Sequence, residues 1–102
     1  MKTSELTGAA LDWAVAKSRG QDNCWMHDYK NGFDNSPSTD WEQGGPLIEI
    51  EEISLRIINN KWFAETTDGA FKQGETPLIA GMRCFVTAWL GDEVDIPKDL
   101  TV

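Results

Sequence analysis

The chain has 102 residues, 40% of them hydrophobic, and a formal net charge of −8 from 17 acids against 9 bases. That length predicts one domain over residues 1–102, able to bury a core without disulfides or metal. The acidic field repels phosphate and argues against direct nucleic-acid binding or attachment to an anionic membrane. Met1 to Leu6 is polar, so no signal peptide is expected. No run approaches the roughly 20 apolar residues of a membrane span. Cys24 and Cys84 are expected as reduced thiols of a cytosolic protein.

Thr7 is placed to cap a helix over Gly8–Ser18. Leu11 and Val15 mark its apolar face with Ala14 beside them, and Ala9, Ala10 and Ala16 favour helix and permit close approach. Lys17 and Arg19 suit the negative pole at its end, and Gly20 is the stop. Trp13 lies off this face and either covers the next segment or packs on the longest helix. From Gln21 to Gln43 the pattern is irregular. Asp22, Asn23, Asn31, Gly32, Asp34, Asn35, Ser36, Pro37 and Ser38 are turn formers. Cys24-Trp25-Met26 is an apolar island that pins this loop to the core or forms a brief strand. A loop this long is either a packed excursion or a functional surface.

Trp41-Glu42-Gln43-Gly44-Gly45-Pro46 reads as a sharp turn, with Pro46 opening one to two helical turns to Glu52. The alternation Ile48-Glu49-Ile50-Glu51 keeps a strand open as the other reading. Ile53–Ile58 is β-branched and alternating, hence a strand. Asn59-Asn60 turns the chain into Lys61–Thr66, the second strand of a hairpin. Asp68-Gly69 is a further turn, and Ala70-Phe71-Lys72 a short third strand or an edge segment.

Thr76 to Gly91 is the clearest helix. Thr76 is its N-cap, Pro77 its first residue and Gly91 its stop. Leu78, Met82, Phe85, Val86 and Trp89 form one apolar stripe. Ala80, Gly81, Cys84, Thr87 and Ala88 make a small, uncharged opposite side. A surface helix carries a charged back face. This one has only Arg83, so it is expected to be buried on most sides, in the core or partly in a subunit contact, and a homodimer stays open. The acidic tail after Gly91 is extended, with Val94 and Ile96 tucked back. The fold expected is α+β: a small antiparallel sheet of two to three strands on the long C-terminal helix, with the shorter N-terminal helix alongside.

No catalytic set stands out. Cys24-x-x-His27-Asp28 has metal-like spacing, but a structural zinc site wants four ligands, and Cys84 has no partner nearby in sequence. No metal and no cofactor are expected. Cys84 with His27 would make a nucleophile pair only in a positive field, whereas Cys84 lies mid-helix. Glu49, Glu51 and Glu52 with Asp40 or Asp12 are acids in an acid-rich chain and read as a solvated face. Gly44-Gly45 lacks the Lys-Ser/Thr of a phosphate loop. Arg83 is more specific: a buried charge needs a carboxylate or several carbonyls. Asp12, Asp40 and Glu49 are its candidate carboxylates, with substrate binding the alternative role. Any of Trp13, Trp25, Trp41 and Trp62 is core unless an exposed pair marks an interface.

Four blocks carry a resemblance: Leu11-Asp12-Trp13-Ala14-Val15-Ala16, Ser38 to Glu49, Thr76 to Val86, and Leu90-Gly91-Asp92-Glu93-Val94. In this order they resemble the NinX-type family of small phage and prophage proteins, over nearly the whole chain. Glu51-Glu52 depart from the family pattern, and the Cys24–Asn35 segment is variable in such proteins. The resemblance implies a phage or prophage origin and the cytosol of a bacterial host, and it carries no catalytic residues. The function expected is a non-enzymatic accessory protein that binds a host or phage protein. Its contact region would be the Asp40-Trp41 turn with Gly44, Gly45 and Pro46, and Trp13 and Arg83 nearby. The alternatives are an acidic nucleic-acid mimic that inhibits a host defence or regulatory protein, and a small enzyme or ligand-binding protein with a site around Arg83 and Trp41.

Overall fold

The computed structural model describes residues 1–33 and 35–100; Asp34, one of the expected turn formers, lies outside them. Helix α1 spans Gly8–Ser18, α2 Asp22–Lys30 and α3 Trp41–Ile50. Strands β1 (Ser54–Ile58), β2 (Lys61–Glu65) and β3 (Phe71–Gly74) precede α4, Pro77–Leu90. Short 3₁₀ turns lie at Thr3–Glu5 and Lys98–Leu100. The architecture is α+β, with α4 packed on a three-stranded antiparallel sheet of order β1-β2-β3.

α4 is the centre of the molecule, packed against α1, α3, all three strands and the Thr3–Glu5 turn. Its start follows from its caps: Thr76 Oγ1 accepts from the Ile79 N–H at 3.1 Å, and Pro77 needs no acceptor. Ala80 to Val86 are all buried, so the helix is enclosed on both sides over this stretch, whereas Thr87 is half-buried and Ala88, on the small side, is exposed. Ala80, Gly81 and Cys84 are covered by this chain itself, Gly81 by Ile48 and Leu55. Trp89 departs from the expected stripe: it stands in the last turn, 57% exposed.

The hairpin forms where two asparagines accept positive φ, 53° at Asn59 and 65° at Asn60, which matches the twist of a two-residue turn. Its register pairs Ile58 with Lys61 and Leu55 with Ala64. The third strand is real and runs two residues further than Ala70-Phe71-Lys72, to Gly74. There the backbone crosses α4 so closely that a Cβ on Gly74 would collide with Ala80.

Two expectations are corrected. The segment after Gly20 is not an irregular loop, since α2 occupies Asp22–Lys30. Only one of its residues, Trp25, is buried, and it does the anchoring: its Nε1–H donates to the Asn35 carbonyl at 2.9 Å and its ring stacks on Tyr29 at 4.9 Å. So polar a helix is held by tertiary contact rather than by an apolar stripe. The Trp41–Pro46 stretch is not a turn either, because α3 starts at Trp41 with Asp40 as N-cap and Pro46 inside. Pro46 sits on the exposed side, where its missing N–H leaves only the Glu42 carbonyl for water.

The core is one cluster running from Leu6 to Leu100. Val94 is buried as expected, and the tail is tied to the opposite end of the chain: Thr3 Oγ1 donates to Gly91 O at 2.8 Å, and the Val94 N–H to Met1 O at 3.0 Å. Among the described residues no helix is long and apolar enough to cross a membrane.

Candidate functional site

The expected contact residues fall in three places. Asp40, Trp41, Gly44, Gly45 and Pro46 share the start of α3. Asp40 Oδ1 accepts from the Glu42 N–H at 3.0 Å and its Oδ2 from Gln43 Nε2 at 3.0 Å. Gln43 Oε1 in turn accepts from the Ser36 N–H at 2.9 Å, which fixes the entering loop on the helix. Gly44 is buried because the loop passes over it: a Cβ there would meet the Pro37 carbonyl oxygen and the Leu78 side chain. Gly45 faces Trp41, whose ring is 52% exposed, and Pro46 is exposed. Trp41 walls a cleft of about 210 Å³ with Ser38, Thr39 and the first turn of α4. Ser38 is buried in that wall, and its hydroxyl has no hydrogen-bond partner among the described residues.

Trp13 is elsewhere, 6% exposed in the core, with the Lys17 ammonium 5.6 Å from its ring centroid. Arg83 is in a third place. Its charge is not met by Asp12, Asp40 or Glu49. Asp12 Oδ1 accepts from the Ser38 N–H at 2.9 Å, Asp40 caps α3, and Glu49 is exposed. Backbone carbonyls serve Arg83 instead: Nε donates to Leu6 O at 2.9 Å and Nη1 to Gln73 O at 2.8 Å. Burial pulls its pKa below the ordinary arginine value, while the Glu75 carboxylate acts in the opposite direction. Arg83 lines a cleft of about 550 Å³ with Ser4, Asn60, Lys61, Gln73 and Glu75. This cleft and the Trp41 cleft share no residue.

Cys84 is packed away rather than set up as a nucleophile. Cys84 is fully buried, its Sγ donates to Ala70 O at 3.1 Å, and burial pushes its thiol up to about 11. Cys24 is exposed, both are free thiols, and His27 lies beside Asp28 on α2. Among the described residues no three His, Cys, Asp or Glu gather to hold a metal ion.

Sequence reasoning missed two sets. Ile50, 72% exposed, and Trp89 border a groove of about 370 Å³ whose floor includes Leu47 and Phe85. Trp89 Nε1 donates to Glu51 Oε1 at 3.2 Å across it. The available signal was the position of both residues in the last turn of a helix, where a stripe runs off the core. The second set is Lys61 and Glu75 beside Arg83. They are joined by the register that pairs Trp62 with Gly74, which no local pattern announces.

These features define a small α+β protein with a helix-backed sheet, an acidic third helix and one buried arginine under an open cleft. The chain belongs to the NinX family: the family described as Bacteriophage P22, NinX matches residues 2–88. The match takes in every helix and strand up to the last turn of α4. No curated protein matches the chain.

Proposed function

We propose that this phage protein acts without catalysis, by binding another protein in the cytosol of the bacterial host through the solvent side of α3. One observation carries the proposal. α3 exposes Trp41 and Ile50 on either flank of Glu42, Pro46 and Glu49, and no basic residue stands between Asp40 and Ile53. Exposed aromatic and branched side chains lose little on desolvation and anchor interfaces. The acids of α3 favour a partner that presents apolar groups inside a basic rim, with Arg19, among the described residues, the one cation that borders Ile50 and Glu51 in the groove at the end of the helix. Affinity capture from infected-host lysate tests this, comparing the wild type with Trp41→Ala, Ile50→Asp and the sheet-face control Phe71→Ala. A stoichiometric partner lost with the first two and kept with the third is expected. Equal recovery with all four proteins would sink the assignment to α3.

The same acids support a second reading, an acidic mimic that occupies a nucleic-acid site. Asp40, Glu42, Glu49, Glu51 and Glu52 stand together with no counter-charge in their own segment. Duplex DNA would then compete with this protein for its partner, and binding would fall steeply with salt. Retention of the complex in excess DNA would discard the mimic and leave the α3 interface standing.

A further inference from the structure

We propose that the cleft over Arg83 binds a small oxyanion, the carboxylate or phosphoryl group of a small molecule, independently of the α3 surface. Arg83 is only 9% exposed and makes no ion pair among the described residues. A guanidinium has five N–H donors. The carbonyls of Leu6 and Gln73 take one each, which leaves three without an acceptor among the described residues. The two bonds hold the group at Nε and Nη1 and fix its plane, so the remaining edge is a pre-set fork of the kind that takes a two-oxygen anion. An arginine buried to this degree, hydrogen-bonded among the described residues only by carbonyls and with Glu75 acting on it without a hydrogen bond or ion pair, is a costly arrangement unless something else completes it.

The surroundings agree. Three elements converge on Arg83: the 3₁₀ turn through Ser4, the hairpin turn through Asn60 and Lys61, and the end of β3 through Gln73 and Glu75. The side chains of Ser4, Asn60 and Lys61 have no hydrogen-bond or ion-pair partner among the described residues, so three exposed residues that line the cleft carry an uncommitted hydroxyl, amide and ammonium. Two cations against one carboxylate make it locally positive in a chain of net charge −8. Its volume of about 550 Å³ lies in the range of small-molecule sites. Glu75 is the built-in competitor: it occupies the electrostatic place of the anion from an exposed position.

The test is a titration with inorganic phosphate and, separately, acetate, at constant ionic strength, followed by ¹H–¹⁵N spectra that include the Arg83 Nε–H. A saturable shift of that signal and of the Lys61 and Gly74 amides is expected before roughly 50 mM, where a site of ~10 mM dissociation constant is mostly filled. Lys61→Glu should weaken binding at least about fivefold, and Glu75→Gln should tighten it about twofold or more. Both residues are exposed, so the variants keep the fold while moving affinity in opposite directions. A response to phosphate alone assigns a phosphoryl group, and one to acetate alone a carboxylate. No saturable shift with either, or shifts indifferent to both substitutions, would overturn the proposal. Neither outcome bears on the α3 interface.

Discussion

Arg83 donates from Nε to the carbonyl of Leu6, 2.9 Å away in space and 77 residues away in sequence. One side chain thus clamps the entry to α1 onto the middle of α4, and its second bond, to Gln73 O, adds the end of β3 to the same clamp. Arg83→Met should therefore cost about 1–3 kcal/mol, because the buried Leu6 carbonyl loses its charge-assisted donor. Arg83→Lys should recover only part of this, since one ammonium does not reproduce the spacing of the two guanidinium nitrogens. Urea unfolding of both variants checks it. A methionine variant as stable as wild type would mean that water serves the two carbonyls equally well.

Adjacent glycines in α3 should respond with opposite sign. Gly44→Ala drives a methyl into the Pro37 carbonyl, and a forced shift of packed backbone costs about 1–3 kcal/mol. Gly45→Ala meets only the Trp41 ring at 3.7 Å, an ordinary contact. In a helix interior that exchange gains up to about 1 kcal/mol. Thermal melts should separate the two by roughly 4 °C or more in a domain of this size.

The Ser38 hydroxyl is 1% exposed by residue and has no partner among the described residues. Ser38→Ala removes a desolvated polar atom and should stabilise by about 0.5–1 kcal/mol. Its backbone N–H, bonded to Asp12, is unaffected by the change. A loss of stability in denaturant titration would show that the hydroxyl finds a water.

Cys84 sets an alkaline limit. Its thiol is held up to about 11 by burial, whereas an unfolded cysteine ionises near roughly 8.5. The folded state then keeps the proton that the unfolded state releases, so the stabilisation is complete below the unfolded value. It is lost as pH rises toward and through about 11. Stability measured from pH 8 to 10.5 should fall in wild type and fall less in Cys84→Ala, after allowing for that variant's own lower baseline. A disulfide-exchange reagent at neutral pH should titrate one thiol, Cys24, in the native protein and both in denaturant.

How much was legible in sequence depends on where each instruction is written. α4 and the hairpin announce themselves, because Thr76, Pro77, Gly91 and Asn59-Asn60 state the backbone geometry within a few residues. α2 does not, because its helix is held by one tryptophan reaching a carbonyl ten positions later. Gly44-Gly45-Pro46 misleads, since each residue breaks helices in isolation. Gly44 is nonetheless selected by the crossing of Pro37, and Pro46 is tolerated on an exposed side. Arg83 stands out as a lone charge, and its need for carbonyls or a carboxylate follows from burial. Which carbonyls, and that Lys61 and Glu75 share its cleft while Trp41 does not, depends on strand register and chain crossing.

The central place of α4 also has a consequence for synthesis. α1, α3, the sheet and the Thr3–Glu5 turn all pack on a helix that begins at Pro77. A hairpin alone is marginal in water, and so is a short helix without its tertiary partner. A nascent chain halted before Pro77 has cleared the ribosome should therefore hold almost no protease-resistant structure, and protection should arrive in one step once Val94 has emerged to close against Met1. Although translation runs from one end to the other, folding is expected to wait until the last long helix has left the exit tunnel.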